Sequence, residues 1–360
     1  MKKNKIKKIT QITAGFRYGD AISNHILFIH EFLKKNGYEC YIKPLQTNVC
    51  SKYIKIFKEQ TFSKNEAIIY HHSIGLGIDK YLREESCPKL FIYHNLTPEK
   101  YFLEYSQDLC NQLKNGRNEL SLYKDIFKYS LNDSQYNSNE LLEKGFSHAE
   151  VLPIIFQKDL WDIEPEPKLL GKLSDGRKNI IFVGRIAPNK KQEDLLFLIN
   201  ELKNIEKSIR LVLVGYGDWI SYNSKIDYII QKLNLKDYVL NLGAISQNEL
   251  KSVYKTAHLF CSMSEHEGFC VPIIESMWND VPIMAYKSSA VPETMGESGI
   301  IFNSKEDFKS LAALAYLLIH DQALRDKVLT SQRKRREYYL IENQIHNYNK
   351  IIEYLEMQYK

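Results

Sequence analysis

The chain has 360 residues, of which 44% are hydrophobic and 26% charged, and its formal net charge is +5. This composition is typical of a globular protein and excludes a disordered chain, while the length predicts two domains, since a domain commonly holds about 150 residues. No apolar run approaches the ~20 residues of a membrane-spanning helix, and the start lacks the apolar core of a signal peptide, so we expect a cytoplasmic protein.

The positive charge is concentrated at the start of the chain, where the first ten residues contain five lysines and no acid: Lys2, Lys3, Lys5, Lys7 and Lys8. The rest of the chain carries no net charge, which excludes the distributed basic face of a nucleic-acid-binding protein. We expect this segment either to be solvated or to hold the protein weakly on the anionic inner face of the plasma membrane. The second effect is worth about 1 kcal/mol per basic residue.

Short apolar runs alternate with helical patterns, which predicts parallel α/β architecture. In the first half the predicted strands are 6–12, 40–42, 67–71, 90–94 and a short one ending near residue 130. The predicted helices are 20–36, 101–127 and 138–144, of which the first and third end at Gly37 and Gly145.

The alternation of apolar runs and helical patterns is interrupted around Pro153, Pro165 and Pro167, which predicts a linker. Beyond it the predicted strands are 180–183, 210–214, 239–242, 259–262 and 281–285. We therefore predict a doubly wound domain at 1–160, a linker at 161–178, a second such domain at 179–336 and a terminal helix at 337–360. An apolar stripe predicts that this helix packs along a surface: Ile341, Ile345, Tyr348, Ile352 and Leu355.

The segment 264–286 has two glutamates with seven residues between them. Glu267 follows a predicted strand, and Glu275 lies one turn into a helix that opens near Pro272. Gly268 lets the backbone approach a ligand closely, and the helix start offers N–H groups to an anion. Glu275 is suited to accept from the two hydroxyls of a ribose; the alternative is a pair of unrelated, solvated glutamates.

Two cations follow the strand that ends at Gly184. Arg185 and Lys190 lie in the loop before the next helix, at the edge where open α/β sheets bind ligands. Arginine binds a diphosphate in bidentate fashion and lysine adds a point charge. Lys191 competes for the second role, but we expect it to be solvated.

The segments VGRIAPNK, LVLVGYGD, LNLGAISQNELKSVYKTAHLFCSMSEHEGFCVPIIESM and VPIMAYKSSAVPETMGESGIIF occur here in sequence. Over about 180–305 they resemble the donor domain of the retaining glycosyltransferases of the large family four, which share an E-x7-E motif. The resemblance implies the glycosyltransferase-B fold, with two Rossmann-like doubly wound domains facing across a cleft. It also implies a last helix that crosses back to the first domain.

The resemblance also implies a donor site. Arg185 and Lys190 would hold the diphosphate beside Gly184, Glu275 the ribose and Glu267 the sugar. The backbone of the following residues would line the sugar: Gly268, Phe269, Cys270 and Val271. The family usually has EGFG where this chain has EGFC, so the side chain of Cys270 narrows the space near the sugar.

In the first half the resemblance is less strong. It implies that Gly15 and Gly19, in the loop after the first strand, close over the diphosphate, and that His94 contacts the transferred sugar. His71 and His72 either line the cleft or are structural, and Ser134 either reaches the cleft or forms a turn.

No HExxH, CxxC or D-x-D pattern is present, so we expect no metal and no cofactor. The six cysteines are predicted to be reduced thiols: Cys40, Cys50, Cys87, Cys110, Cys261 and Cys270.

These residues and the resemblance together predict a retaining transferase that moves a hexose from a GDP- or UDP-sugar to a bacterial glycan acceptor. The acceptor is expected to be lipid-linked and to belong to surface polysaccharide synthesis. The alternatives are a nucleotide-sugar epimerase of the same fold, a phosphorylase, and a non-catalytic partner that binds nucleotide sugar.

Overall fold

The computed structural model describes residues 5–49 and 51–359. Lys2, Lys3 and Cys50 therefore lie outside the described residues, and the predictions that involve them stay predictions. The described chain divides into two compact units, and each unit is made of more than one segment of the sequence. The first unit consists of Met1–Lys100, Gln107–Ile155 and Ile341–Lys360, and the second of Tyr101–Ser106 and Phe156–Leu340.

The first unit is built on a parallel sheet that contains six strands among the described residues, in the order β2-β1-β3-β4-β5-β6. Its strands are β1 (Lys8–Phe16), β2 (Glu39–Thr47), β3 (Glu66–His72), β4 (Lys89–Tyr93), β5 (Ser130–Asn132) and β6 (Ala149–Val151). Its first four helices are α1 (Ala21–Lys35), α2 (Asp79–Glu84), α3 (Gln107–Tyr123) and α4 (Gln135–Glu143).

The second unit repeats this plan, with six described strands in the order β12-β11-β10-β7-β8-β9. Its strands are β7 (Lys178–Val183), β8 (Ile209–Val214), β9 (Val239–Gly243), β10 (Ala257–Ser262), β11 (Ile283–Tyr286) and β12 (Ile300–Phe302). Its helices are α5 (Pro167–Leu173), α6 (Gln192–Ile205), α7 (Ile220–Lys232), α8 (Gln247–Thr256), α9 (Val271–Trp278), α10 (Val291–Met295), α11 (Phe308–His320) and α12 (Gln322–Arg336). The chain then returns to the first unit with α13 (Ile341–Met357).

Both sheets have the strand order of a doubly wound fold, as predicted. β1 lies between β2 and β3, and β7 lies between β10 and β8, so the order reverses at the first strand of each sheet. Ligands of open α/β proteins bind outside the carboxyl ends of the strands at such a reversal. The loops that follow β1 and β7 are therefore at the expected positions for binding.

Two residues next to α1, a capping aspartate and a glycine, set the ends of this helix as the sequence predicts. The carboxylate of Asp20 accepts from the Ser23 amide at 3.0 Å and satisfies one free donor of the first turn. At the other end Gly37 has a φ of +88°, and its amide donates to the Lys34 carbonyl at 3.0 Å. A glycine takes up this left-handed conformation without strain, so it ends the helix.

The segment 161–178, predicted to be a linker, contains α5 instead. The side chain of Glu166 accepts from the amides of Lys168 and Leu169, at 3.0 and 2.6 Å, and Pro167 is the first helical residue. Proline is well tolerated there, because the first helical amide has no partner within the helix. The three prolines predict a linker, but one of them, Pro167, begins a helix.

The helix predicted over 101–127 is shorter in the structure. α3 starts at Gln107, because Tyr101–Ser106 belongs to the second unit. The short strands β6 and β12, each of three residues, were not predicted. Runs of this length contain too few side chains to establish an alternating pattern.

The terminal helix begins at Ile341 rather than near Glu337, because Glu337–Tyr339 forms a separate 3₁₀ turn. Its buried face also differs from the predicted stripe. Tyr348 and Leu355 are buried as expected, but Ile345 is 43% exposed, and Gln344 and Ile351 are buried in the described helix. α13 packs against the core of the first unit, which includes Ile9, Ile29 and Leu90.

The basic start is only partly free to meet a membrane. Lys5 and Lys7 are exposed, but the ammonium of Lys8 pairs with the carboxylate of Glu66 at 2.5 Å. Helices long and apolar enough to span a bilayer do not occur in the described ranges. The cysteines that the structure describes are all buried free thiols, as predicted.

The second sheet depends on a close approach of backbones at the ends of β7 and β8. The Gly184 amide donates to the Val214 carbonyl at 2.8 Å. Gly215 has a φ of +134°, and a Cβ added there would lie 2.0 Å from the carbonyl oxygen of Gly184. Position 215 therefore requires glycine, both for its conformation and for the space available.

We expect Gly215→Ala to destabilise the protein by about 3 kcal/mol or more, because the added methyl group clashes with backbone and the φ is strained. Gly171→Ala is the matched control, since Gly171 lies inside α5 and an added Cβ would meet no atom within 4 Å. The control is expected to gain up to about 1 kcal/mol. Urea unfolding of both variants measures the difference, and equal effects would contradict this assignment.

Candidate active site

The loop after β7 presents an exposed cation. Arg185 lies directly after Gly184, and its guanidinium stacks over the ring of Trp219 at 5.0 Å from the ring centre. In the part of the chain that the structure describes, no carboxylate pairs with it. A planar guanidinium held on an aromatic face keeps its hydrogen-bond donors available to an incoming anion.

Lys190 and Glu267 form an ion pair between two loops. The ammonium of Lys190 lies 2.6 Å from Oε2 of Glu267, and the two side chains are 19% and 8% exposed. Lys190 ends the 3₁₀ turn Pro188–Lys190 after β7, and Glu267 lies in the loop after β10. Two residues that the sequence analysis assigned to the diphosphate and the sugar are therefore in direct contact.

Backbone contacts hold these two loops together. The amide of Glu265 donates to the Asn189 carbonyl at 2.9 Å, and the Asn189 side chain donates to the His266 carbonyl at 3.1 Å. Gln192, at the start of α6, accepts from the Ala187 amide and donates to the Arg185 carbonyl, at 3.3 and 3.0 Å. The loop that carries the two cations is thereby fixed without a ligand.

Lys191 is not the freely solvated residue that the sequence suggested. It precedes α6 with a φ of +55°, and its ammonium lies 3.8 Å from the carboxylates of both Glu193 and Glu265. Separations of this length describe weak ion pairs, so Lys191 is directed to neighbouring acids rather than to Glu267.

The chain enters α9 through an unusual residue. Cys270 has a φ of +78°, which is rare for residues other than glycine, and it precedes the first helical residue, Val271. Burial raises the pKa of its thiol well above the usual value, so the thiol stays neutral. Thr294 donates to the Phe269 carbonyl at 2.5 Å and fixes the turn. The amide of Ile273 donates back to the Cys270 carbonyl at 3.1 Å and closes the first turn of α9.

Glu275 lies on α9 and is bound to one neighbour. The hydroxyl of Tyr254 donates to its carboxylate at 2.8 Å. Burial raises the pKa of the Glu275 carboxyl, the Tyr254 hydrogen bond lowers it, and the result is about 7. The carboxylate is therefore poised to gain or lose its proton near neutral pH.

The two glycines predicted to close over the diphosphate, Gly15 and Gly19, differ in position and in backbone conformation. Gly15 lies within β1, paired with Gln46, and not in the loop after it as predicted. Gly19 lies in that loop with a φ of +84°, just before the cap of α1. Only Gly19 therefore has the left-handed conformation of a glycine turn.

His94, predicted to contact the sugar, has a buried ring. Its side chain is 0% exposed while the residue as a whole is 6% exposed, so the surface that solvent reaches belongs to the main chain. Nδ1 lies 2.9 Å from Oδ2 of Asp133, and Nε2 lies 2.9 Å from Nδ1 of His71. The imidazole is thus an internal group, and a ligand can reach only the backbone of this residue.

The hydrogen bonds of His94 continue in both directions. Nε2 of His71 lies 2.9 Å from Oε1 of Gln11 on β1. On the other side, Nδ1 of His25 faces Oδ1 of Asp133 at 3.3 Å, and its Nε2 lies 2.9 Å from the hydroxyl of Tyr348 on α13. We call this set the histidine cluster: Gln11, His25, His71, His94, Asp133 and Tyr348.

His72 and Ser134 have structural roles in the first unit. His72 lies between the Tyr70 hydroxyl and the Gly116 carbonyl, at 3.1 and 3.0 Å. The hydroxyl of Ser134 accepts from the Asn137 amide at 3.2 Å and caps α4. Asp133 and His25 were not predicted as site residues, although Asp133, like His71 and His94, lies at the end of a strand.

The described residues contain one group of side chains whose ligand atoms lie as close together as those of a metal site. Atoms of His25, His94 and Asp133 lie within 4.8 Å of one another. The His94 nitrogens already have hydrogen-bond partners, and a divalent ion would leave this buried set of two neutral imidazoles and one carboxylate with a net charge. We therefore describe it as a hydrogen-bonded cluster.

We expect Tyr254→Phe to raise the midpoint of the Glu275 carboxyl titration above pH 7, because it removes the hydrogen bond that stabilises the carboxylate. Carbon NMR of the side-chain carboxyl measures the midpoint, with Glu275→Gln assigning the signal. The protonated carboxyl stabilises the fold, an effect fully present below about pH 4.5 and lost as the pH rises through about 7. An unchanged midpoint would contradict the Tyr254 contact.

Comparison with protein families agrees with this layout. Residues 170–335 match the family model described as glycosyl transferases group 1. Similar curated proteins include the O-antigen chain mannosyltransferase B of Escherichia coli, 25% identical over 148 residues, or 41% of this chain and 38% of that protein. The MMP alpha-(1->4)-mannosyltransferase of Mycolicibacterium hassiacum is 30% identical over 113 residues, or 31% of this chain and 26% of that protein. These matches span well under half the length of either relative.

Solved structures extend the likeness over the whole chain. HepE from Anabaena, solved with UDP and glucose, has a TM-score of 0.73 at 16% identity and covers 98% of this chain and 100% of that chain. Sucrose-phosphate synthase from Thermosynechococcus elongatus has a TM-score of 0.72 at 17% identity and covers 97% and 99%. Identities this low show the fold alone. Residues 170–335, which hold Arg185, Lys190, Glu267 and Glu275, thus match the family model of the glycosyl transferases group 1, in a chain with the glycosyltransferase-B fold.

Proposed function

We propose that this protein is a retaining, metal-independent glycosyltransferase that moves a hexose from a GDP- or UDP-sugar to a glycan acceptor. The observation that carries the proposal is the Lys190–Glu267 ion pair of 2.6 Å beside the exposed Arg185. These groups lie after the strands of the second sheet, within the segment that matches the family.

The diphosphate is assigned to Arg185, Lys190 and the start of α9. Arg185 is exposed on Trp219 and has a fork of donors that fits two phosphate oxygens. Lys190 adds a point charge, and a diphosphate that binds it competes with the carboxylate of Glu267. Other transferases assign this neutralisation to a divalent ion, and two cations held by a fixed loop replace it here.

The ribose is assigned to Glu275. A carboxylate accepts hydrogen bonds from two vicinal hydroxyls, whereas a protonated carboxyl is a weaker acceptor. Because the pKa of the free carboxyl is about 7, binding of a ribose favours the ionised form and releases a proton near neutral pH.

The similar proteins support the class of donor and acceptor. HepE was also solved with UDP-glucose, and the two curated relatives are named as mannosyltransferases, one of them for the O-antigen chain. We infer for this chain a nucleoside-diphosphate hexose and an acceptor in bacterial surface polysaccharide, held on a lipid. Lys5 and Lys7 would then contribute a weak contact with the anionic surface of the inner membrane.

We assign retention of the anomeric configuration to attack by the acceptor on the face of the sugar from which the diphosphate leaves. A double displacement requires a carboxylate beneath the anomeric carbon, whereas Glu267, which the donor would separate from Lys190, is assigned to the hydroxyl groups of the sugar. In the proposed step the bond from the anomeric carbon to the diphosphate breaks, and the acceptor oxygen bonds to the same face. The acceptor proton passes to the departing diphosphate, whose charge Arg185 and Lys190 stabilise.

We expect Glu275→Ala to weaken the binding of UDP and GDP by roughly 10- to 150-fold, since a hydrogen bond to a charged group is worth about 1.5 to 3 kcal/mol. Calorimetry with both nucleotides measures the change. Glu353→Ala, on the exposed side of α13, is the control and should bind as the wild type does. Equal affinities in both variants would overturn the ribose assignment.

We expect an α-linked donor to give an α-linked product in excess EDTA, because neither a bound metal nor a covalent intermediate is required by the assignment. Proton NMR of the anomeric signal measures the outcome. Arg185→Ala and Lys190→Ala should each lower turnover by ~100- to 1,000-fold.

Other results would select other functions. A β-linked product would contradict retention, and activity lost in EDTA and restored by manganese would contradict metal independence. Turnover without release of nucleoside diphosphate would indicate an epimerase. Tight nucleotide binding without turnover of any donor would indicate a non-catalytic partner.

A further inference from the structure

We propose that Lys305 is a positioning residue that holds the loop after β10, and so keeps Glu267 in place when a donor separates it from Lys190. The part of this inference that concerns the donor rests on the proposed function, whereas the holding of the loop does not. The inference follows from the contacts of the Lys305 ammonium, which joins carboxylates from two different elements of the second unit.

Lys305 lies in the loop after β12, and its ammonium has two carboxylate partners. Nζ donates to Oδ2 of Asp194, in the first turn of α6, at 2.6 Å, and to Oε1 of Glu265, in the loop after β10, at 2.7 Å. It also lies over the ring of Tyr286, the last residue of β11, at 4.7 Å from the ring centre. One ammonium thus joins a helix, a loop and a strand that are far apart in the sequence.

Each donor of this ammonium has an acceptor within the chain. A lysine ammonium has three N–H groups, and besides the two carboxylates the Met263 carbonyl lies 3.4 Å from Nζ. The Lys305 side chain is 14% exposed. Arg185 differs, because it is exposed and its guanidinium stacks on an aromatic ring. We therefore assign Lys305 to the support of the site and not to the binding of an anion.

The loop that Lys305 holds is attached to the start of α6 at a second point. The neighbouring lysines Lys190 and Lys191 precede α6, and Lys190 pairs with Glu267 at 2.6 Å while Lys191 lies 3.8 Å from Glu265. Glu265 and Glu267 are separated by one residue, so the loop has a charged contact at each carboxylate. In the proposed site a diphosphate competes for Lys190, and the contacts of Glu265 remain when that pair is broken.

Lys305 is the stronger of the two lysine partners of Glu265. Its separation of 2.7 Å is that of a charge-assisted hydrogen bond, whereas the 3.8 Å of Lys191 describes a weak ion pair. Asp194 and Glu265 both accept from the same nitrogen atom, so without it two partly buried carboxylates would face each other and repel. Loss of the ammonium is therefore expected to move Glu265 away from α6.

The main chain transmits such a movement to Glu267. The Glu265 amide donates to the Asn189 carbonyl at 2.9 Å, and the Ala290 amide donates to the Glu267 carbonyl at 3.3 Å. A displaced Glu265 would lengthen the first of these bonds and shift Glu267, which follows two residues later. Hydrogen exchange of the Glu265 amide therefore reports on the position of the loop.

Lys305→Met tests the holding of the loop without any ligand, because methionine keeps an unbranched apolar side chain and removes the charge. Exchange of the Glu265 amide is expected to be at least tenfold faster than in the wild type, as measured by NMR. The control is Lys225→Met, since Lys225 pairs at 3.0 Å with Glu193 in the same turn of α6. It should leave the exchange of the Glu265 amide unchanged.

A second variant tests the same contact from its other end. Glu265→Ala removes a side chain that is 30% exposed and leaves Lys305 paired with Asp194, so this variant is expected to fold even if Lys305→Met does not. Exchange of the amide at position 265 should again be at least tenfold faster than in the wild type, because the side chain that attaches the loop is gone.

A further measurement separates positioning from stability. In the proposed site Glu267 contacts the sugar, whereas other side chains bind the nucleoside diphosphate. Lys305→Met should therefore bind UDP and GDP within threefold of the wild type in calorimetry. Its turnover of UDP-glucose or GDP-mannose, whichever the wild type uses, should fall about 100-fold, since a small misplacement near the reacting centre has an effect of this size. Lys225→Met should keep both properties.

The outcomes distinguish this inference from the proposed function. Unchanged exchange in both Lys305→Met and Glu265→Ala overturns the inference, and so does a turnover of Lys305→Met equal to that of the wild type. Nucleotide affinity that falls as much as turnover would show a general loss of structure and would overturn the positioning role as well. If the wild type transfers no sugar, the proposed function fails, and the exchange data still decide whether Lys305 holds the loop.

Discussion

The ion pair between Lys190 and Glu267 is the contact on which the proposed donor site depends. It joins residues 77 positions apart, and it forms because parallel strands bring their following loops to one edge of the sheet. Both side chains are largely buried, so loss of either partner leaves a charge without compensation, at a typical cost of 3 to 5 kcal/mol. The pair therefore keeps a cation at the edge of the sheet where an anionic ligand can displace the carboxylate.

The two units differ in the polar groups at the carboxyl ends of their strands. In the second unit Arg185 is exposed and stacked on Trp219, so its charge is available to a ligand. In the first unit the ring of His94 is buried and bonded to Asp133 and His71. A ligand can therefore reach a charged side chain at Arg185 and only main chain at His94.

Much of the fold follows from local signals, and for that reason the sequence predicts it. The α1 helix is bounded by a capping aspartate and a left-handed glycine, Asp20 and Gly37, which act over three residues. The α5 helix was missed because Pro167 suits both a linker and a first helical turn. The same ambiguity does not arise for Arg185 and Lys190, whose spacing after a strand is part of a recognised pattern.

The histidine cluster was not predicted, because its contacts depend on strand order rather than on spacing along the chain. Asp133 is 39 residues from His94, and Tyr348 is 323 residues from His25. A sequence pattern identified His94 as a residue at a strand end, but it could not show that both ring nitrogens have partners. Its ring was therefore assigned to the sugar, whereas the structure gives solvent access only to its backbone.

The loop after β7 is held by hydrogen bonds within the chain, and this bears on the proposed binding of a donor. Gln192 holds the backbone at Arg185 and Ala187, and the Tyr222 hydroxyl in turn donates to Gln192 at 3.0 Å. In the proposed site, donor binding has little ordering cost at this loop and has to separate Lys190 from Glu267. The ammonium would then pair with the diphosphate, while the carboxylate would accept hydrogen bonds from hydroxyl groups of the sugar.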